Sequence, residues 1–104
     1  ATDAVYAITT ANEQLIPTVF SLDQNYPNPF NPSTTIRYGL PKDVKVTLDV
    51  YDLLGRKVAS LVNAEQKAGY YSVVFQNRSF SSGVYIYRVA AGEYKASKKF
   101  VLIK

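Results

Sequence analysis

Residues 44–55, VKVTLDVYDLLG, decide the fold. Apolar residues occupy alternate positions from Val44 to Val50, and a period of two places them on one face of a β-strand. The following residues 52–55 are typical of a tight hairpin in which Gly55 takes a positive φ. The return segment, residues 56–62, alternates less regularly and leaves room for a bulge. We therefore predict an antiparallel hairpin with one buried face.

On both sides of this hairpin in sequence, the chain forms short segments in which apolar and polar residues alternate, separated by turn residues. With the two hairpin strands, seven strands are predicted, the others at residues 19–22, 34–40, 70–76, 84–90 and 94–103. Residues 59–67 form the best helix candidate, but their strand-like flanks favour a loop or an irregular strand. Two half-apolar sheets must bury their faces against each other. The predicted fold class is all-β, a small antiparallel seven-stranded immunoglobulin-like or fibronectin-III-like sandwich.

The N-terminal part of the chain differs from this regular pattern. Residues 1–17 are predicted to be an arm or linker, and residues 18–104 the sandwich. Residues 3–10 of the arm have high strand propensity without a breaker, and they could add a strand to a neighbouring subunit. The residues of this possible self-assembly arm are Val5, Tyr6, Ala7, Ile8, Thr9 and Thr10. Three prolines in the segment 27–32 predict a stiff, extended loop without ladder pairing.

Composition argues against an enzyme. The 104 residues are enough for one domain and include no cysteine, methionine or histidine. Disulfides, thiolate metal sites, thiol nucleophiles and histidine-based triads are thereby excluded. Asp49 and Asp52 are three residues apart, which places them on opposite faces of a strand. With Asp43 they could offer oxygens to calcium, but no Asp-x-Asp-x-Asn-Gly loop is present. We predict no catalytic, cofactor-binding or metal site.

The positive charge of the chain is local. The net charge is +4, and four of the twelve basic residues fall in the last ten positions, namely Lys95, Lys98, Lys99 and Lys104. No context typical of an RNA- or DNA-binding fold surrounds these lysines, so nucleic acid is not a predicted partner. No apolar run approaches the length of about 20 residues that a membrane helix needs, and no transmembrane segment is predicted.

Five blocks of sequence together carry a family resemblance. They are YPNPFNPSTTIRYGLP (26–41), VTLDVYDLLGRKV (46–58), KAGYYSVVF (67–75), SSGVYIYRV (81–89) and KKFVLIK (98–104). In this order and spacing they strongly resemble the type A C-terminal sorting domain of the type IX secretion system. The resemblance covers about four-fifths of the chain. A weaker resemblance, through VYDLLGR and GVYIYR, is to the immunoglobulin-like domain of flagellar hook-capping proteins.

The resemblance implies a non-enzymatic module that directs a secreted protein across the outer membrane to the cell surface or the medium. The implied partners are the outer-membrane translocon and, in many members, a surface sortase that removes the domain while the cargo is attached to lipopolysaccharide. The recognition residues would be Gly83, Tyr85, Lys98, Lys99 and Lys104. Cleavage would fall within residues 12–17.

Each of these features also has a structural interpretation. Gly83 is most simply a turn residue, Tyr85 and Tyr87 are candidates for core tyrosines bonded to backbone, and the lysines could protect an edge strand from unwanted pairing. Two other functions stay open. One is a self-assembling surface or fibre subunit that uses residues 3–10, and the other is a hook-cap-like scaffold.

Overall fold

The computed structural model describes residues 16–76 and 79–104, and within them the chain forms seven strands and no helix. The strands are β1 (Ser21–Leu22), β2 (Ser33–Leu40), β3 (Val44–Tyr51), β4 (Lys57–Gln66), β5 (Gly69–Gln76), β6 (Gly83–Ala91) and β7 (Tyr94–Leu102). Neighbouring strands pair antiparallel throughout. The prediction of an all-β sandwich is confirmed. The candidate self-assembly arm, residues 3–10, lies outside the described residues.

The strands form two sheets that enclose one core. The first sheet has the order β1-β2-β5 and the second the order β4-β3-β6-β7. Because side chains alternate between the two faces of a strand, every second side chain points into the core. In β3 these side chains are Val46, Leu48 and Val50, which have no exposed surface. Aromatic rings fill the middle, where Phe100 packs edge-on against Phe30 at a centroid distance of 4.9 Å.

The β3–β4 hairpin follows the prediction at its turn and differs in its length. Gly55 has a φ of 86°, a left-handed conformation that side-chain-bearing residues avoid. Two register shifts along β3, after Leu48 and after Val50, confirm the expected bulge. Strand β4 continues to Gln66, whose side-chain oxygen accepts a 2.6 Å hydrogen bond from the Tyr38 hydroxyl on the other sheet. The missed residues 63–66 pair in regular register beyond the bulges, but they are mostly exposed and show no apolar alternation, which is why periodicity alone did not reveal them.

The proline-rich loop pairs with strands at two points, contrary to expectation. Tyr26 forms an isolated antiparallel bridge with Thr35, and Phe30 forms a parallel bridge with Leu102. Both loop residues lie next to prolines but have their own amide N–H groups, and these groups make the bonds. Proline therefore shapes this loop without preventing the residues between prolines from joining the sheets.

The chain enters the sandwich over the outer face of the first sheet, at Gly39. A β-carbon at Gly39 would lie 2.9 Å from Ser21 Oγ and 3.1 Å from Pro17 Cγ. It would also lie 3.3 Å from the Tyr70 ring. Because no side chain stands at this position, Pro17 packs directly on the sheet and is buried.

Candidate recognition surface

The pairing of β6 with β7 brings together the five residues predicted to carry recognition. Tyr85 is opposite Phe100 in the register, and Lys99 is opposite Ile86. Gly83 pairs with Leu102 at the end of the ladder, and Lys98 pairs with Tyr87. The amide of Lys104 donates a 2.9 Å hydrogen bond to Ser82 Oγ, just before β6. All five positions therefore lie along the same end of one strand pair.

Tyr85 is a packed tyrosine at the rim of the core. Its ring stacks on Phe80 at a centroid distance of 5.0 Å, and its hydroxyl donates a 2.7 Å hydrogen bond to the Ser81 carbonyl. The side chain is half-buried. The backbone hydrogen bond predicted for Tyr85 is confirmed, but the ring lies at the rim and not inside the core, and a role in recognition stays a prediction for this residue.

Lys98 and Lys99 occupy opposite faces of β7. Lys98 belongs to the row of Ala96 and Phe100, which turns toward the core, and is partly buried. Lys99 belongs to the exposed row of Lys95 and Ser97, on the outer face of the second sheet. Of the two neighbouring lysines, only Lys99 presents its ammonium group to a partner lying flat on this sheet.

A cationic patch that sequence reasoning missed surrounds Ser97 on this outer face. Arg88 is directly opposite Ser97, while Lys95 and Lys99 flank Ser97 two positions away along β7. We call Arg88, Lys95 and Lys99 the cationic patch. Among the described residues, none of the three forms an ion pair. Only the strand register could have revealed this patch, because strand pairing places Arg88 beside lysines that are distant from it in sequence.

The cationic patch borders a shallow, open depression of about 380 Å³. Tyr51 and Ile86 supply its apolar lining, and Arg88, Lys95 and Ser97 its polar part. The nearest acidic group in the register is Asp49, opposite Arg88, and its carboxylate lies 3.7 Å from Lys57 Nζ. An apolar floor bordered by unpaired cations is suited to a surface that carries both apolar and acidic groups.

The loop of residues 24–31 binds the outer edge of β7 and forms a clasp. The Phe30 amide donates to the Val101 carbonyl at 2.9 Å, and the Ile103 amide donates back to the Phe30 carbonyl at 3.0 Å. Asn28 adds its side-chain oxygen, which accepts a 2.9 Å bond from the Val101 amide. Gln24 Nε2 donates to the Lys99 carbonyl at 2.7 Å. The clasp thus satisfies edge groups of β7 that would otherwise be open to pairing.

This clasped strand pair belongs to the part of the chain that matches a known family. The profile of the "Secretion system C-terminal sorting domain" family matches residues 24–104, from the first residue of the clasp to the end of β7 and beyond. The chain is a member of the type IX secretion C-terminal sorting domain family. A search of curated proteins finds no match.

Membership in the sorting domain family states the general role of the chain. The domain is a C-terminal signal for type IX secretion, which implies an interaction with the type IX machinery and delivery across the outer membrane to the cell surface or the extracellular space. The family is not an enzymatic one. Within residues 16–76 and 79–104, no helix is long and apolar enough to cross a membrane.

Two carboxylates of this sorting domain, those of Asp52 and Asp43, accept hydrogen bonds from the backbone. Asp52 Oδ1 accepts bonds from the amides of Arg56 at 3.0 Å and Leu54 at 2.9 Å, and these bonds, led by the Arg56 amide, lower the pKa of Asp52. Asp43 accepts a 2.9 Å bond from the Ala68 amide, which lowers its pKa in the same way. In the described part of the chain, no three acidic side chains are grouped closely enough to hold a metal ion.

Proposed function

We propose that the outer-membrane translocon reads this sorting domain through the exposed side of its β6–β7 pair. The observation that supports this proposal is the register, which gathers the predicted recognition residues at one end of a single strand pair. The clasp lies on the same strand and is included in the segment that matches the family. A folded surface, and not a linear tail, is then the signal.

The charge of this surface suggests the chemistry of its partner. Arg88, Lys95 and Lys99 lie on the same face and form no ion pair with any described residue, and Tyr51 and Ile86 provide an apolar floor beside them. Surfaces that bind each other generally have complementary potentials, and charge complementarity raises the association rate. The translocon surface that binds here would accordingly be acidic with some apolar side chains.

Charge reversal tests this proposal without removing any part of the core. Lys99→Glu and Arg88→Glu, made separately and together, place carboxylates in the cationic patch, and Lys45→Glu combined with Glu65→Lys is the control, because it reverses a charge on the same face without setting like charges opposite each other. Lys45 is on the same outer face but is paired in the register with Glu65, far from β7. In a type IX-secreting bacterium, the two patch variants should accumulate in the periplasm while the control reaches the surface. Normal surface delivery of the double patch variant would overturn the proposed recognition surface.

Truncation is a less specific test of the same role. Deleting residues 100–104 is also expected to block surface delivery. However, Phe100 and Leu102 are almost completely buried, and burying each such side chain contributes about 1.5–3 kcal/mol to folding. A truncated chain that fails to fold would be retained for that reason alone. The deletion is informative only if its thermal unfolding transition is preserved.

Removal of the domain by a surface sortase is a further part of the proposal. The implied cleavage region, residues 12–17, has its first four residues outside the described structure. At its C-terminal end, Pro17 is buried against Gly39, whereas Ile16 is exposed. A protease acting before Ile16 would not need to disturb the sandwich. Mass spectrometry of the released fragment tests this, because a fragment beginning beyond Pro17 would contradict it.

A self-assembling surface or fibre subunit is the second candidate function. It requires an acceptor edge for a donated strand, and β5 has one edge that no other described strand occupies. The donor, residues 3–10, lies outside the described residues and stays a prediction. Long filaments of the purified full chain, seen by light scattering, would favour this candidate, and a concentration-independent monomer would exclude it. The hook-cap-like scaffold rests on its shared motifs alone.

A further inference from the structure

The outer edge of β5 is unpaired in the described part of the chain. In the three-stranded sheet β5 pairs with β2 on one side, and no described strand lies on the other. The strand has the sequence GYYSVVFQ, eight residues without a charge or a proline. Such an edge offers main-chain hydrogen bonds to any extended segment that reaches it.

The hydrogen bonds on the far side of β2 determine which backbone groups of β5 point outward from the sheet. Thr35 exchanges backbone bonds with Tyr26, and the Arg37 carbonyl accepts from Asp23, so Thr35 and Arg37 point toward β1. The alternate residues of β2 point toward β5, where they pair with Tyr71, Val73 and Phe75 among others. The amides and carbonyls of the remaining β5 residues therefore point away from the sheet. These four residues, which we call the open edge, are Tyr70, Ser72, Val74 and Gln76.

The other three sheet edges are protected. Strand β7 carries three lysines and is bound by the clasp. Strand β4 has bulged pairing with β3 and carries charges at both ends, and β1 is only two residues long. Short strands, charges, bulges and covering loops are the usual means by which proteins prevent pairing between edges. Within residues 16–76 and 79–104, none of these features is found on β5.

The open edge differs from the rest of the molecule in that it carries no charge. The chain has a net charge of +4, yet Arg37 is the only charged residue in the strands of the three-stranded sheet. The nearest preceding cation, Lys67, lies 3.5 Å from the carboxylate of Asp43. Two copies that approach through β7 would bring lysines together, whereas the paired strands of two copies that approach through β5 carry no charge. The distribution of charge thus favours a second copy at this edge.

We propose that two copies of this chain pair through β5, antiparallel and about a two-fold axis, to form a continuous six-stranded sheet. The contact is isologous, so it closes as a dimer and does not extend into filaments. A register centred on Val73 sets Tyr70 opposite Gln76 of the other copy and Ser72 opposite Val74 of the other copy. In this register every outward amide and carbonyl of the open edge has a partner.

The exposed side chains beside the open edge support this pairing. Tyr70 and Val74 are 66% and 67% exposed, on the outer face of the sheet. In the proposed register the two copies of Val74 are diagonal neighbours across the seam, and each Tyr70 is diagonal to the other Val74. Diagonal neighbours are about 7–8 Å apart, within reach of aromatic side chains. The four side chains would form one apolar strip. A single strand pair buries little area, so the dimer should be weak and transient.

Sedimentation equilibrium of the full chain, from about 10 µM to 1 mM, tests the proposal. The mass should rise with concentration from the monomer value of 11.6 kDa toward twice that value. Val74→Lys places two cations across the seam and should raise the dissociation constant at least tenfold, because like charges repel across paired strands. Thr35→Lys is the matched control, since Thr35 is the register partner of Val74 one strand further from the seam. It should dimerise as the unaltered chain does.

A second variant and an exchange measurement test the backbone contact itself. Ser72→Pro removes an outward N–H and leaves the β2 ladder intact, so it should also abolish dimerisation. Amide exchange of the four open-edge residues should slow as the concentration rises, while Tyr71, Val73 and Phe75 stay protected throughout. A monomer at every concentration would overturn the proposal. So would dimerisation that survives Val74→Lys, long filaments in place of dimers, or protection of the open edge that does not depend on concentration.

Discussion

The backbone amide of Asn25 donates a 2.8 Å hydrogen bond to the hydroxyl of Tyr87, 62 residues further along the chain. Both groups are buried. The same hydroxyl donates a 2.6 Å bond to the Asp23 carbonyl. One phenol oxygen therefore joins the beginning of the clasp to the strand next to β7.

Tyr87→Phe should destabilise the domain by about 1–3 kcal/mol, because it leaves a buried amide and a carbonyl without a partner. Urea unfolding measures this loss. Tyr85→Phe is the matched control, since its hydroxyl bonds to the exposed Ser81 carbonyl, where water can replace it. The control should lose no more than about 0.5 kcal/mol. Equal losses in the two variants would contradict the structural role given to the Tyr87 hydroxyl.

The stability of the domain should also depend on alkaline pH. Burial raises the pKa of Tyr87 to about 12, above its ordinary value of 10.0. Because the neutral phenol is favoured in the folded state, its contribution is fully present below about pH 10 and is lost as the pH rises toward 12. The difference in unfolding free energy between the unaltered chain and Tyr87→Phe should shrink over this interval. A constant difference would show that Tyr87 ionises equally in both states.

Gly55→Val should cost about 1–3 kcal/mol, because a β-branched residue is strained at a φ of 86°. A β-carbon at Gly55 would meet nothing within 4 Å, so the loss reports backbone strain and not a clash. Gly55→Asn is the matched control, since asparagine tolerates a left-handed conformation better. Thermal unfolding should rank the unaltered chain first, the asparagine variant second and the valine variant last. An unchanged melting temperature for Gly55→Val would remove Gly55 from this role.

Gly39→Ala should displace Pro17 from the first sheet. The added carbon would lie 2.9 Å from Ser21 Oγ and 3.1 Å from Pro17 Cγ, closer than ordinary contacts allow. We expect a stability loss on the order of 1 kcal/mol and faster proteolysis near Ile16. Adding Ser21→Ala removes the closest clash and should restore part of the stability. No recovery in the double variant would indicate that the Pro17 contact dominates.

Local periodicity predicted the strands, because alternation in segments such as Val44–Tyr51 is set by which side of each strand is buried. The turn at Gly55 was predictable for a similar reason, since few residues other than glycine adopt its backbone conformation. Where a strand is mostly exposed, as at residues 63–66 of β4, the same signal fails. The fold class and the orientation of most strands therefore followed from the sequence.

Contacts between distant parts of the chain were not predictable in this way. The clasp depends on Phe30 pairing with Leu102, and the cationic patch depends on Arg88 lying opposite Ser97. Neither pairing leaves a trace in local periodicity, because each follows from how the strands are arranged in three dimensions. One of the blocks that carry the resemblance to the sorting domain family includes the prolines around Phe30, but the resemblance did not indicate that this loop binds the final strand.

The position of β7 connects folding to protein synthesis. It is the last strand of the sandwich to leave the ribosome, and without it the Phe30 amide has no Val101 carbonyl to bind and the inner side of β6 loses Phe100. A chain that ends early through a premature stop codon therefore lacks the strand that completes the domain. A finished sandwich therefore requires that translation has continued through β7, and a signal that depends on the folded domain would be missing from chains that stop before this strand.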